Sequence, residues 1–256
     1  MTIATWNVNS IKARLDRVIA WLGDRNPDVL CLQELKTARE AFPFRELEEA
    51  GWNVAGAFQP TYNGVAILSR HPLEDVVAGM DDGEEDPQAR LVAATVRGIR
   101  VVSVYVPNGQ DPGSDKYAYK LRWLDRVRDW LSRELERHPT LVVCGDFNIV
   151  PRDQDAHDPK AWEGTVLLNP EVRERLGALA ALGLRDVVAD RHPEGGPFSW
   201  WDYRAASFPR NLGLRIDLLL ATADLAGRCV EVFTDRDQRK GDRPSDHVPV
   251  GARFEV

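Results

Sequence analysis

The stretch Leu141-Val142-Val143-Cys144-Gly145-Asp146-Phe147-Asn148-Ile149 decides how this chain reads. Apolar, β-prone residues run directly into a glycine, a carboxylate, an aromatic ring and a carboxamide. That is the pattern of a buried strand delivering polar groups at its C-terminal end. The two-residue period puts Asp146 and Asn148 on one face and turns Phe147 back toward the core. Gly145 is expected to admit a close approach to the backbone, as by a phosphate. An acid beside an amide suits orienting and deprotonating a water; the same two residues also suit an Asx-type turn. The ends of the other strands decide between these readings.

Immediately upstream, Tyr117, Leu121, Leu124, Val127, Leu131 and Leu135 recur at spacings of three and four, predicting a long helix over 115–138 closed by Pro139. At the start of the chain, residues 2–6 alternate as a strand, and Ser10 can cap a helix carrying Ile11, Leu15, Val18, Ile19 and Leu22 and ending near Gly23. A buried strand at 28–33 follows, so the first ~30 residues read as a βαβ unit. After a short helix at 44–49, strands are expected at 52–57, 63–69, 73–79, 90–97 and 99–106, with Asn63-Gly64 and Arg97-Gly98 as turn or bulge markers. Residues 150–170, rich in Asp and Pro, read as a long surface loop before a helix at 171–182. Gly195–Tyr203 reads as a loop entering a strand, and further strands are expected at 214–220, 228–233 and 248–254. Hairpins and βαβ units together predict a four-layered α/β sandwich, two packed mixed β-sheets flanked by helices, in one domain spanning 1–256.

Composition narrows the class. Of 256 residues, 43% are hydrophobic and 29% charged, ordinary for a soluble globular protein. No apolar run approaches the ~20 residues needed to span a bilayer, and the chain enters a strand pattern at once, so no signal peptide is expected. Cys31, Cys144 and Cys229 each lie in an apolar run without metal-ligand spacing, which points to buried thiols in a reducing compartment, the cytoplasm. The net charge of −7 lowers the expectation of a nucleic-acid partner without excluding one, because net charge does not report how charge is distributed.

Polar residues end six separate apolar strands: Asn7, Glu34, Tyr105, Asp146 with Asn148, Asp217, and Asp246 with His247. Each has a bland reading as a turn, an edge or a cap. Asp217, set among leucines, is the hardest to dismiss, since a buried carboxylate is costly unless paired or bound to a cation. Six coincidences favour one shared site. Carboxylates without thiolates or a histidine cluster select a hard cation such as Mg²⁺ or Mn²⁺, and a single histidine beside a carboxylate can act as a base or as a donor to a charged oxygen. With no nucleophilic Ser or Cys and no Gly-rich phosphate loop, the inventory points to metal-assisted attack of water on a phosphodiester.

The stretches Ala4–Ser10, Cys31–Lys36, Tyr62–Ile67, Val104–Gly109, Gly145–Asn148, Phe198–Tyr203, Gly213–Asp217 and Ser245–His247 resemble, in order and over nearly the whole chain, the exonuclease III family of apurinic/apyrimidinic endonucleases. Gly-Asp-Phe-Asn and Ser-Asp-His indicate only the wider superfamily of DNase I-like fold; Trp-Trp-Asp-Tyr and Leu-Arg-Ile-Asp narrow it to this branch. The resemblance implies a metal held among Asn7, Glu34, Asp146, Asn148, Asp246 and His247, with Glu34 the principal ligand and Asn9 near a second metal position or the phosphate. It implies catalytic roles for Tyr105, Asp146, Asn148, Asp217 and His247, with either Asp146 or His247 as the base. It also implies DNA contacts through Asn108 and a small apolar pocket walled by Trp200, Leu214 and Ile216; plain core packing is the other reading of Trp200 and Trp201. Phosphate contacts are further expected from Lys12, Arg14, Arg17, Lys116, Lys120, Arg204 and Arg210. The implied reaction is Mg²⁺-dependent (or Mn²⁺-dependent) incision of duplex DNA 5′ to an abasic site, leaving a 3′-hydroxyl, with 3′→5′ exonuclease and 3′-end cleaning alongside, by a monomer. Another phosphoesterase activity on the same scaffold, on a small phosphorylated alcohol or on RNA, and a non-catalytic nucleic-acid-binding module are the alternatives.

Overall fold

Two six-stranded sheets pack face to face in the computed structural model, which describes residues 1–256. Strand β1 (Thr2–Asn7) leads through α1 (Ile11–Arg25) to β2 (Val29–Gln33), which pairs with it in parallel. After α2 (Phe44–Glu49) come β3 (Asn53–Ala57), β4 (Val65–Ser69), β5 (Glu74–Ala78), β6 (Leu91–Val96) and β7 (Ile99–Tyr105). Helix α3 (Asp115–Arg137) then carries the chain to β8 (Leu141–Asp146), again parallel to its predecessor. The remainder is α4 (Pro159–Trp162), α5 (Pro170–Ala180), β9 (Leu184–Asp186), α6 (Val187–Arg191), β10 (Asp217–Thr222), α7 (Ala223–Gly227), β11 (Cys229–Thr234) and β12 (Val250–Phe254). The sheet orders are β11-β12-β1-β2-β4-β3 and β5-β6-β7-β8-β10-β9. Every pairing apart from β1/β2 and β7/β8 is antiparallel. The expected four-layered α/β sandwich of two mixed sheets is therefore the fold.

The central strands are apolar on both sides because both faces are covered. One core lies between the sheets, where Val29, Cys31 and Ile67 meet Val142, Cys144 and Leu219. A second packs α3 onto the outer face of the β8 sheet through Trp123, Val127, Trp130 and Leu131; a third packs α1 onto the β1 sheet through Ile11, Val18, Trp21 and Leu22. All three cysteines are buried and free, as their apolar settings predict. No helix is long and apolar enough to cross a membrane.

Local details separate sound expectations from mistaken ones. Arg97 and Gly98 both take positive φ, 48° and 79°, and close the β6–β7 hairpin with a two-residue turn. Ser114 caps α3, its Oγ accepting from the Tyr117 amide at 3.1 Å. Ser10 makes no such cap; its backbone N–H instead donates to the Glu34 carbonyl at 2.8 Å, and α1 runs past Gly23 to Arg25. Residues 150–170 are not a loose surface loop. Val166, Leu167 and Leu168 are buried there, and Asp155 is sealed against Arg215. The strand expected from 214 starts at Asp217, because Ser199 Oγ accepts from the Ile216 and Asp217 amides at 3.1 Å where a neighbouring strand would otherwise do so. Gly145 has φ 152°, and the group crowding it is the Val104 carbonyl of the next strand, into which a Cβ would run. A phosphate has no part in that close approach.

Candidate active site

Parallel pairing places the C-terminal ends of β1, β2, β7 and β8 at one edge of the sandwich, and Asn7, Glu34, Tyr105 and Asp146 stand at those ends. The antiparallel strand β10 begins where β8 ends, with Asp217 the register partner of Asp146. The segment leading into β12 brings Ser245-Asp246-His247 to the same edge, fixed by the Trp6 indole donating to the His247 carbonyl at 3.2 Å. Ser245 Oγ donates to the Asn7 carbonyl at 2.7 Å and holds the same turn. Both sheets thus contribute, and Gln33 stitches them together by bonding Thr5 and Ser103 in the interior.

Asn7 joins the two carboxylates: its Nδ2 donates to Glu34 Oε1 at 2.7 Å and to Asp146 Oδ2 at 2.9 Å. Asp146 also accepts from the Asn148 backbone amide at 2.9 Å and from Asn148 Nδ2 at 3.3 Å. The Asx turn and the delivery of the Asp146 carboxylate to this edge are therefore one structure, with Phe147 buried behind it. His247 lies between two acids, Nδ1 at 2.8 Å from Asp217 and Nε2 at 3.6 Å from Asp146. Ligand-type atoms of Glu34, Asp146 and His247 fall within 4.8 Å of one another.

Electrostatics follow from this crowding. Burial drives the Asp146 carboxyl up, and the nearby charges of Asp217 and Glu34 push the same way against the pull of His247. Burial works against the charged imidazole of His247, yet Asp217 and Asp146 outweigh it and hold its proton tightly. Tyr105 is raised by burial and by Glu34 and Asp146, so its phenol stays a donor. An imidazolium facing a carboxylate of raised pKa can donate to an anionic oxygen while that carboxylate takes a proton from water.

The other expected residues divide. Asn108 reaches the site, its Nδ2 donating to Asn148 Oδ1 at 3.0 Å. Asp246 stands apart from the Glu34–Asp146–His247 group, and its two oxygens accept from Asn9 Nδ2 and Trp200 Nε1, each at 3.0 Å. Asn9 accepts in turn from Lys36 Nζ at 2.6 Å. Trp200 is half-buried and meets Trp162 edge-on at 5.9 Å, while Leu214 is 0% and Ile216 2% exposed. Leu214 consequently backs Trp200 and offers no free surface to a ligand. Arg204 and Arg210 are exposed, the former paired with Asp202 at 2.8 Å. Lys12 and Lys116 are exposed, whereas Arg14 and Arg17 are engaged by backbone carbonyls of the 238–244 segment. Lys120 is fully buried and bonds three carbonyls, which removes it from phosphate contact.

Sequence reasoning missed Lys36, whose ammonium is 2.8 Å from Glu34 Oε2, and Ser199, which sets the start of β10. Both lie inside stretches already singled out by their motifs, and that was the available signal. Trp162 carried no signal, sitting in what reads as a polar loop.

The donor set suits a hard divalent cation. Glu34 and Asp146 are oxygen ligands, no thiolate is near, and the charge of two close carboxylates is only partly offset by Lys36 and His247.

A buried histidine–carboxylate couple facing paired acids at the edge of an α/β sandwich defines a hydrolase. The chain belongs to the endonuclease/exonuclease/phosphatase family, whose signature spans residues 4–247, and within it to the exonuclease III type. Exodeoxyribonuclease III of Haemophilus influenzae is 33% identical over 99% of this chain and 100% of its own length. The 3′-5′ exonuclease NExo of Neisseria meningitidis superposes with a TM-score of 0.98 at 44% identity, both chains covered completely. The 3′ phosphatase NExo (D146N) from Neisseria, bound to a product DNA hairpin, gives the same TM-score at 43% identity and complete coverage of both chains. An AP endonuclease of Archaeoglobus fulgidus matches with a TM-score of 0.96 at 39% identity, again over both complete chains.

Proposed function

We propose that this protein is a metal-dependent DNA phosphoesterase of base excision repair. It incises duplex DNA 5′ to abasic sites, leaves a 3′-hydroxyl, and processes 3′ ends by exonucleolytic and end-cleaning hydrolysis. The observation carrying this reading is the convergence of Glu34, Asp146 and His247 within 4.8 Å, with Asp217 behind the histidine. Glu34 and Asp146 would hold Mg²⁺, or Mn²⁺ in its place, with Asn7 bridging them; the ion would supply charge neutralisation at the phosphate. The chain's own residues do the rest. Asp217 fixes the His247 ring, so that Nε2 is aimed at the phosphate and at Asp146. Asp146 takes the proton of the attacking water, and Asn148 keeps its carboxylate from rotating. The Tyr105 phenol donates to a phosphate oxygen.

Substrate preference rests on the surroundings. Trp162 and Trp200 flank the Asp246 side of the site, suited to a sugar without its base, whose flipping costs least. The complete burial of Leu214 and near-complete burial of Ile216 favour a second reading in which 3′-end processing is the stronger activity. The kinship with NExo supports it. The protein works as a monomer on double-stranded DNA in the cytoplasm.

The test uses an end-labelled duplex with one stable abasic analogue and an undamaged duplex, each with Mg²⁺ or EDTA, and the variants Asp146→Asn and His247→Asn. A metal-dependent cut 5′ to the lesion, lost in both variants, supports incision as the main activity. Shortening of both duplexes from the 3′ end supports the second reading. Absence of metal-dependent cleavage by folded protein overturns both.

A further inference from the structure

One charged side chain is completely buried beside the site yet takes no part in the chemistry above. Lys120, near the start of α3, is 0% exposed. Its Nζ donates to the carbonyls of Asn148 at 2.6 Å, Val166 at 2.7 Å and Asn108 at 3.1 Å. Burial pushes the Lys120 pKa down to about 7 while Asp146 pulls it up, and the three acceptors decide for the ammonium, since only that form has three N–H bonds to give them. Those carbonyls belong to three separate loops, one after β7, one after β8 and one before α5, and in each case the partner is backbone.

The packing is equally specific. Gly109 takes φ 98°, and a Cβ there would stand 3.2 Å from Lys120 Cδ and 3.3 Å from both the Tyr117 ring and Val166 Cβ. The loop after β7 therefore rests directly on the lysine stem. Above the ammonium, the side chains of the same two asparagines form a relay: Asn108 Nδ2 donates to Asn148 Oδ1, and Asn148 Nδ2 donates to the Val106 carbonyl at 3.0 Å and to Asp146. A single cation underneath fixes the backbone from which both amides project, and Asn148 in turn fixes the Asp146 carboxylate.

We propose that Lys120 is a positioning residue for phosphoester hydrolysis: by drawing the Asn108 and Asn148 carbonyls onto one ammonium, it sets the Asn108–Asn148–Asp146 relay in register with the scissile phosphate. The inference rests on the hydrolase reading above for its kinetic consequence, and on the loop geometry alone for its structural one. An apolar residue of similar length would fill the same space and leave three buried carbonyls without their donor. The loops would then settle into altered positions, and a shift of about 1 Å at a reacting group costs on the order of 100-fold in rate.

The experiment compares wild type, Lys120→Met, Asn148→Ala and the double variant on the abasic duplex with Mg²⁺, alongside thermal denaturation and the ¹⁵N side-chain amide resonances of Asn108 and Asn148. The expected result for Lys120→Met is kcat lower by roughly 10- to 100-fold with KM changed less than about threefold. The amide resonances should be displaced, and the double variant should be scarcely worse than Asn148→Ala, since both losses pass through one group. Losses that multiply in the double variant, or amide resonances unmoved by Lys120→Met, overturn the proposal and leave Lys120 as a structural tie. If Lys120→Met is too unstable to assay, Lys120→Gln, which retains two donors, decides by the same resonances and the same cycle. Should wild type fail to cleave DNA at all, the hydrolase reading falls, while the amide resonances still accept or reject the role of Lys120.

Discussion

Asp146 and Asp217 are register partners across the β8–β10 pair, and His247 bridges them, with Nδ1 on Asp217 and Nε2 facing Asp146. Two adjacent antiparallel strands thus supply the two acids on either side of one imidazole. The acids are inequivalent. Asp217 is 0% exposed and its Oδ1 has no partner, so it serves His247 alone, while Asp146 is shared with Asn7 and Asn148.

Replacing Asp217 by Asn removes the charge that holds the His247 proton and leaves the ring free to present the wrong nitrogen. The expected loss in kcat is about 10²–10⁴-fold with the fold retained. Steady-state kinetics and circular dichroism on the same preparation check it; a loss below tenfold would remove Asp217 from the mechanism.

Arg215 carries a different load. It lies at 0% exposure between Asp155 and Asp186, with bonds of 2.7–2.9 Å, in the residues leading to Ile216 and Asp217. Arg215→Met leaves buried Asp155 with Arg152 as its remaining ionic partner and strips Asp186 of its bond to Arg215, at a cost of about 3 kcal/mol. Urea denaturation measures this. Arg215→Met combined with Asp155→Leu should recover much of it.

Acid stability follows from the same type of pairing. Hydrogen bonding to Arg126 holds Asp82 down to about 2 against the ordinary 3.8, and Asp155 is held still lower, because Arg152 and Arg215 outweigh the upward push of burial. The folded state therefore binds fewer protons than the unfolded one below pH ~4. These contributions are complete above that pH and are lost as pH falls through the folded values. The urea midpoint should drop steeply between pH 4 and 2, and Arg126→Ala should flatten the drop. An unchanged slope would show that Asp82 does not contribute.

Gly145→Ala tests the meeting of β7 and β8. The new Cβ would collide with the Val104 carbonyl, which is backbone and cannot swing aside. Destabilisation of roughly 3 kcal/mol or more is expected, the far tail for a single substitution. Chemical denaturation would reveal it even where activity had already been lost.

The sandwich and the core of the site were legible because one rule repeated: an apolar strand with a polar residue at its end. Asn7, Glu34 and Asp146 follow it, whereas Asp217 opens β10 and His247 precedes β12. What escaped was set by contacts distant in sequence. Lys120 looks like any lysine on a helix until the 108, 148 and 166 carbonyls arrive around it. Arg14 and Arg17 look like free cations until the 238–244 segment folds over them. Elements of three to five residues, such as β9, α6 and α7, are shorter than the periods that would announce them.

The first and last strands are neighbours: Thr2 pairs with Arg253 and Thr5 with Val250, while Trp6 grips the backbone of His247. His247 is thus seated against Asp146 and Asp217 by a segment that the pairing of the last strand with the first holds in place. Without residues 245–254 the chain would keep Asn7, Glu34, Asp146 and Asp217 but lose both His247 and the strand that seats it. The two strands most distant in sequence therefore act as a clasp, and the edge that gathers the acids is closed by it.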